Sequence, residues 1–232
     1  MSSGVALPRA LPGAGVVRVP LVAAALTGAA ALLHLLGSEQ LGEALAYRRE
    51  AVTGGQPWRL LTGHLVHFGD AHAFGDILPC FVWAALVEGL FSRRLAAWTA
   101  LWTALATGLV VLALCPEVGS YRGLSALNCA FGSQLLLLGM WDRTERRDRA
   151  GAALVALAAV AYIGKTLYEN VSGVALLAPD LGPGVLLLPE AHLVGTAVGI
   201  VAAAPCLLAP GPTTAAIVLD RPHVVKHPQR GG

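Results

Sequence analysis

The chain has 232 residues, 56% of them hydrophobic and only 13% charged. An ordinary soluble domain carries about 25% charge, so there are too few charges here to cover a soluble core, and a mean hydropathy of +0.65 excludes a disordered chain as well. A formal net charge of +2 leaves no basic footprint for nucleic acid, and the class that remains is a polytopic membrane protein with the lipid bilayer as its solvent.

Taken in chain order, the first charge-free apolar stretch runs from Val19 to Ser38. It is long, no Ala-x-Ala site follows it, and further apolar stretches come after. It therefore reads as a retained helix and not a cleaved leader. The connection from Gly37 to Ala71 is the longest. It holds Trp58, an interface anchor, and an amphipathic stretch around Leu41 to Ala51. A solvated loop and an element lying in the headgroups are both open for it. The second helix is expected over His72 to Phe91, interrupted by Asp76 and Glu88. The third covers Leu95 to Pro116 and the fourth Gly123 to Trp141. The fifth covers Ala150 to Glu169 and carries Lys165. The sixth starts at Ala191, and Pro205 with Pro210-Gly211-Pro212 is expected to end it.

A membrane helix needs roughly 20 apolar residues. A simple hydropathy count accepts four of these stretches. Charges within spans face a bundle interior, so the two interrupted stretches are counted too. The expected fold is an all-α membrane protein of six transmembrane helices. Residues 1–18 form an N-terminal segment, 19–209 the six-helix domain and 210–232 a mobile tail. The four cysteines (Cys80, Cys115, Cys129, Cys206) lack CxxC spacing and read as buried small hydrophobes.

Loop charges set the orientation. Arg9, Arg18, Arg93, Arg94, Arg143, Arg146, Arg147, Arg149, Arg221, Lys226 and Arg230 fall on one side, and only Arg48, Arg49, Arg59 and Arg122 on the other. The positive-inside rule then places both termini in the cytoplasm. The second, fourth and sixth helices start at the outer face.

The reactive residues share that face. Ser125 opens the fourth helix, His192 the sixth, and His67, His72 and Asp76 lie at the start of the second. Random placement would scatter them over both faces. Together they supply an acyl-transfer constellation, with Ser125 as nucleophile and His192 as its base. With no acidic residue clearly completing a triad, a Ser125–His192 dyad is expected. Gly195 and Gly199 are spaced to let the fourth and sixth helices approach closely. The Ser125 backbone N–H, in a helix first turn, and the His72 side chain are the expected oxyanion donors.

These residues resemble the rhomboid family of intramembrane serine proteases. The likeness lies in Gly123-Leu124-Ser125-Ala126, in Ala191-His192 with Gly195 and Gly199, in His67, His72 and Asp76, and in Trp58-Arg59-Leu60-Leu61-Thr62. It covers about Gln56 to Ile200. It implies a six-helix rhomboid-like bundle in a bacterial-type inner membrane, no cofactor or metal, and membrane-anchored protein substrates. Tyr121-Arg122-Gly123-Leu124-Ser125, Glu190-Ala191-His192-Leu193 and Gly164-Lys165-Thr166-Leu167-Tyr168-Glu169 look like the rhombosortase subgroup. That likeness implies cleavage of C-terminal sorting tails carrying a Gly-Gly motif.

Two positions depart from the family pattern. Ala126 stands where glycine is usual, adding one methyl to a crowded helix contact. Asp76 stands where an asparagine normally donates to the oxyanion. An ionised carboxylate cannot donate, so Asp76 is either protonated or turned elsewhere, and Asn128 could stand in for it. Lys165 and Glu169 share a face of the fifth helix, as a mutual ion pair or as a contact to the substrate tail or to the second helix. His34 reads as structural. Two other classes stay open: a metal site drawn from His64, His67, His72 and Asp76, and an inactive rhomboid-like protein that binds membrane helices without cutting them.

Overall fold

The computed structural model describes residues 19–174, 176 and 188–208. The segment expected at 1–18 and the tail expected at 210–232, with the Pro210-Gly211-Pro212 turn, lie outside these residues. In chain order the elements are α1 (Leu21–Leu36), α2 (Glu39–Leu45), β1 (Tyr47–Arg48), α3 (Arg49–Thr53), α4 (Arg59–Thr62) and a 3-10 turn (Gly63–Leu65). There follow α5 (Asp70–Leu90), α6 (Arg93–Leu114), β2 (Ser120–Tyr121), α7 (Ser125–Glu145), α8 (Arg149–Ser172) and α9 (Pro189–Leu208). Six long helices, α1 and α5–α9, thus stand on the six apolar stretches.

Four of them, α5, α6, α8 and α9, are long and apolar enough to cross a membrane. The other two fall short for different reasons. α1 has only 16 residues. α7 has 21, but it carries Asn128, Ser133 and Gln134 on a helix whose sides are largely buried among the others. A helix at the centre of a bundle needs no lipid-facing surface, so polar residues are tolerated there once they are hydrogen-bonded. The long helices therefore match expectation in number and place, while composition alone supports four spans.

Three local details bear on the expectations. Pro205 does not end the last helix, which continues to Leu208. Proline removes one N–H bond, but helices in apolar surroundings accommodate it through their neighbours. Pro79 sits inside α5 in the same way. Glu88, expected to face the interior, caps α1. Its Oε1 accepts from Leu21 N at 3.0 Å and its Oε2 from Val22 N at 2.8 Å and Ala23 N at 3.3 Å. These are amides that a helix N-terminus cannot satisfy itself, and Arg93 Nε donates to the same carboxylate at 2.8 Å.

The long connection is folded. Arg59 is buried, and its Nη1 donates to the carbonyls of Glu43 and Ala46, each at 2.7 Å. Thr62 Oγ1 donates to Leu45 O at 2.6 Å. Arg49 donates to the last carbonyls of α6, Val111 and Leu112, at 2.7 Å each. β1 and β2 pair antiparallel, Tyr47 opposite Tyr121, the one strand pair among the described residues of an otherwise helical fold. Side-chain donors thus spend themselves on backbone acceptors and turn a polar loop into a packed cap over one end of the bundle.

α7 packs most closely on α9. A Cβ added to Gly195 would overlap the Ala126 carbonyl, and one on Gly199 would overlap the Ala130 carbonyl. α8 is the opposite case. Leu154, Leu157, Val160, Ile163, Leu167 and Val171 are all exposed, and Glu169 is its one buried residue. An apolar face of this length left without protein neighbours is one that lipid covers.

Candidate active site

The cap positions the segment that precedes α7. Gly123 N donates to Gly63 O at 3.1 Å. His64 reaches Gly123 O through Nδ1 at 3.2 Å and Ala104 O through Nε2 at 3.1 Å. Burial pushes the His64 imidazole down to about 4, and in its neutral form the ring donates to one of these two carbonyls only. Tyr121 Oη donates to the same Gly123 carbonyl at 3.3 Å.

Gly123 is required twice over. Its φ is +115°, a left-handed conformation that side chains disfavour. A Cβ there would also lie 2.7 Å from both His72 Nε2 and Asp76 Oδ2. The turn at Gly123 brings the chain against α5 and starts α7 at Ser125. As the first residue of α7, Ser125 has an N–H with no intrahelical acceptor.

A cavity of about 830 Å³ opens beside this turn. Its walls include Ser125 and Asn128 of α7, His192 of α9, His72 and Asp76 of α5, and Lys165 and Glu169 of α8. The expected site residues from four helices are therefore brought into one space. Gly123, Ala126, Gly195, Gly199 and His67 stand behind it as supports. Ala126 is fully buried, and its methyl packs in an apolar cluster with Tyr47, Tyr121 and Ala191. The additional methyl is thus accommodated.

Asp76 is turned toward donors. Its Oδ2 lies 3.3 Å from His72 Nε2 and 3.6 Å from His67 Nε2. Asn128 Nδ2 donates to the Asp76 carbonyl at 3.0 Å and reaches Oδ1 at 3.4 Å. The Asn128 amide is thus engaged with α5. His67 lies edge-on to His72, ring centroids 5.1 Å apart, and Phe68 stacks on the other side of His72 at 5.9 Å. The Arg122 guanidinium sits 4.8 Å above Phe68. His34 bonds Asp70 at 2.9 Å, away from the cavity.

Lys165 Nζ donates to Glu169 Oε2 at 2.5 Å, so the expected ion pair forms. The same Oε2 lies 3.4 Å from His192 Nδ1, a contact the sequence reading did not anticipate. Tyr162 was missed as well. Its hydroxyl bonds Thr196 Oγ1 at 2.6 Å and Cys129 O at 3.2 Å, tying α8 to α9 and α7. The one signal in the sequence is its spacing from Lys165 and Glu169, which puts all three near one helix face. Among the described residues no group of three His, Cys, Asp or Glu is arranged to hold a metal ion.

The geometry can support nucleophilic chemistry: a half-buried hydroxyl at a helix N-terminus, a buried histidine on the adjoining helix, and a second histidine beside the Gly123 turn. A comparison with curated proteins finds no match. The chain does match the family model of the Rhomboid domain over residues 54–209. That match takes in the folded cap from Gly54 onward, the Gly123–Ser125 turn and α5 to α9, and on it the chain belongs to the rhomboid family, whose members are generally intramembrane serine proteases.

Proposed function

We propose that this chain is a serine endopeptidase that cleaves membrane-anchored proteins within the bilayer, near the outer membrane face. One observation carries the reading. Ser125 and His192 line the same cavity from two helices held at glycine contact, and His72 lines it beside the Gly123 turn. The family's general activity agrees with it.

The chemistry follows from these positions. Ser125 Oγ attacks the scissile carbonyl carbon while His192 Nε2 takes the hydroxyl proton. The carbonyl π pair moves onto oxygen, where the Ser125 N–H and His72 offer donors. The proton passes to the leaving amine as the C–N bond breaks, leaving an acyl-enzyme. Water, deprotonated by His192, then releases the acid and restores Ser125. Asp76 serves as an acceptor that orients His72.

The substrate helix enters between α5 and α8, a route favoured by a cavity lined by Pro79 and Trp83 on one side and by Ala158 and Tyr162 on the other. All six long helices span the membrane, a bacterial-type inner membrane, with both termini cytoplasmic. The residue runs around Ser125, His192 and Lys165 favour the rhombosortase subgroup, and with it C-terminal tails bearing a Gly-Gly motif. Ser125→Ala and His192→Ala are expected to abolish cleavage of such a reporter in proteoliposomes. A fluorophosphonate probe is expected to label the wild type and not Ser125→Ala. Wild-type cleavage by Ser125→Ala would overturn the assignment, and a wild type that neither cleaves nor labels would favour an inactive helix-binding protein.

A further inference from the structure

The dyad expected from sequence leaves Nδ1 of His192 without a partner, and an acceptor there holds a general base in the right tautomer. To accept a proton at Nε2, the imidazole must carry its other proton on Nδ1. The imidazolium that forms is stabilised by an anion at that position. His192 is 5% exposed and makes no formed hydrogen bond through Nδ1 among the described residues. The acceptor set against Nδ1 is the Glu169 carboxylate, at 3.4 Å.

Glu169 is an unusual residue for its helix. α8 is exposed along nearly its whole length, yet Glu169 is 1% exposed. A carboxylate that served only to pair with Lys165 could do so at the edge of the bundle, where desolvation is cheaper. This one is held inside from two directions: Lys165 Nζ donates to Oε2 at 2.5 Å and Leu176 N donates to Oε1 at 2.9 Å. Both fix the carboxyl plane while Oε2 still faces His192. Catalytic hydrogen bonds are often long in a resting site. A charge on the imidazole would draw this one toward the about 2.8 Å of a charge-assisted pair.

We propose that Glu169 is the positioning residue of a Ser125–His192–Glu169 arrangement. It fixes the His192 tautomer through Nδ1 and stabilises the imidazolium. It stays ionised throughout, and Lys165 and the Leu176 amide hold it in place. The proposal rests on the Ser125–His192 reading above. It places the acidic partner on α8, a different helix from both the nucleophile and the base.

The test compares Glu169→Gln with the double variant Lys165→Met/Glu169→Gln, on a membrane-anchored reporter in proteoliposomes, reading kcat and KM separately. A merely structural ion pair predicts that the double variant, which buries no orphan charge, regains wild-type kcat. The positioning role predicts that kcat falls about 10²–10⁴-fold in both variants, with KM little changed. The double variant also keeps the test valid if Glu169→Gln alone folds poorly. Recovery of kcat in the double variant, or wild-type kcat in Glu169→Gln, would overturn the proposal. Ser125→Ala run alongside separates the two claims: if it is inert while Glu169→Gln is fully active, the dyad stands and only the role of Glu169 falls.

Discussion

The closest packing in the molecule makes the sharpest prediction. A methyl on Gly195 would overlap the backbone carbonyl of Ala126, one residue beyond Ser125. Backbone cannot rotate aside as a side chain can. Restoring ordinary contact at about 3.5 Å requires α7 and α9 to part by roughly 1.5 Å. Overpacking of that kind costs about 1–3 kcal/mol, or roughly 2–12 °C in Tm. The catalytic penalty is expected to be larger than the penalty in stability, because Ser125 and His192 ride on the two helices that separate. A misplacement of about 1 Å can cost 10²-fold in rate. Gly195→Ala should therefore be folded but about 100-fold slower in single-turnover cleavage, with fluorophosphonate labelling slowed alike. Gly28→Ala is the control, since its added methyl meets nothing within 4 Å. Its Tm should hold or rise, because alanine is the better helix former. Wild-type rate and Tm in Gly195→Ala would refute the claim that this contact sets the Ser125–His192 distance.

Other outcomes follow from the same contacts. Glu88→Ala strips the cap from three amides of α1. It should lower stability by about 1–3 kcal/mol and speed hydrogen exchange at residues 21–23 selectively. Asp76→Ala leaves His72 and the Asn128 amide without their carboxylate. It should reduce kcat more than Asp76→Asn, which keeps an acceptor oxygen for His72; equal losses would argue against the orienting role. Glu43, hydrogen-bonded by Arg48 and facing Arg122, has its carboxyl held below the ordinary range. Its contribution is therefore fully present above about pH 4.5 and fades as pH falls through the lowered value. The group is partly exposed, so the effect is small, about 0–1 kcal/mol. It should appear as a loss of Tm between pH 5 and pH 3 in the wild type that exceeds the loss in Glu43→Gln.

Low charge content and six apolar stretches were sufficient to place six long helices, because burying backbone in an apolar medium forces it into helices wherever the stretch is long enough. The candidate site was legible for a related reason. Few polar residues survive in such a chain, so those at the starts of α5, α7 and α9 stand out, and Ser125, His72, Asp76 and His192 do line one cavity. Even the small residues spoke, since Gly195 and Gly199 signalled the α7–α9 contact.

What the sequence could not decide was which polar group meets which. Lys165 and Glu169 read as a pair because they are neighbours on one helix, whereas the contact of Glu169 with His192 joins α8 to α9 and depends on how two helices pack. The long connection looked like a loop or an interfacial element, because its order comes from Arg59, Arg49 and Thr62 bonding distant carbonyls, which local pattern does not reveal. Pro205 looked like a terminus because local rules end helices at proline, and only the packed bundle let α9 run past it. The 13% of charged residues announces a membrane protein from sequence alone. Which partner each of those charges meets is decided by long-range contacts, and these are a property of the folded chain.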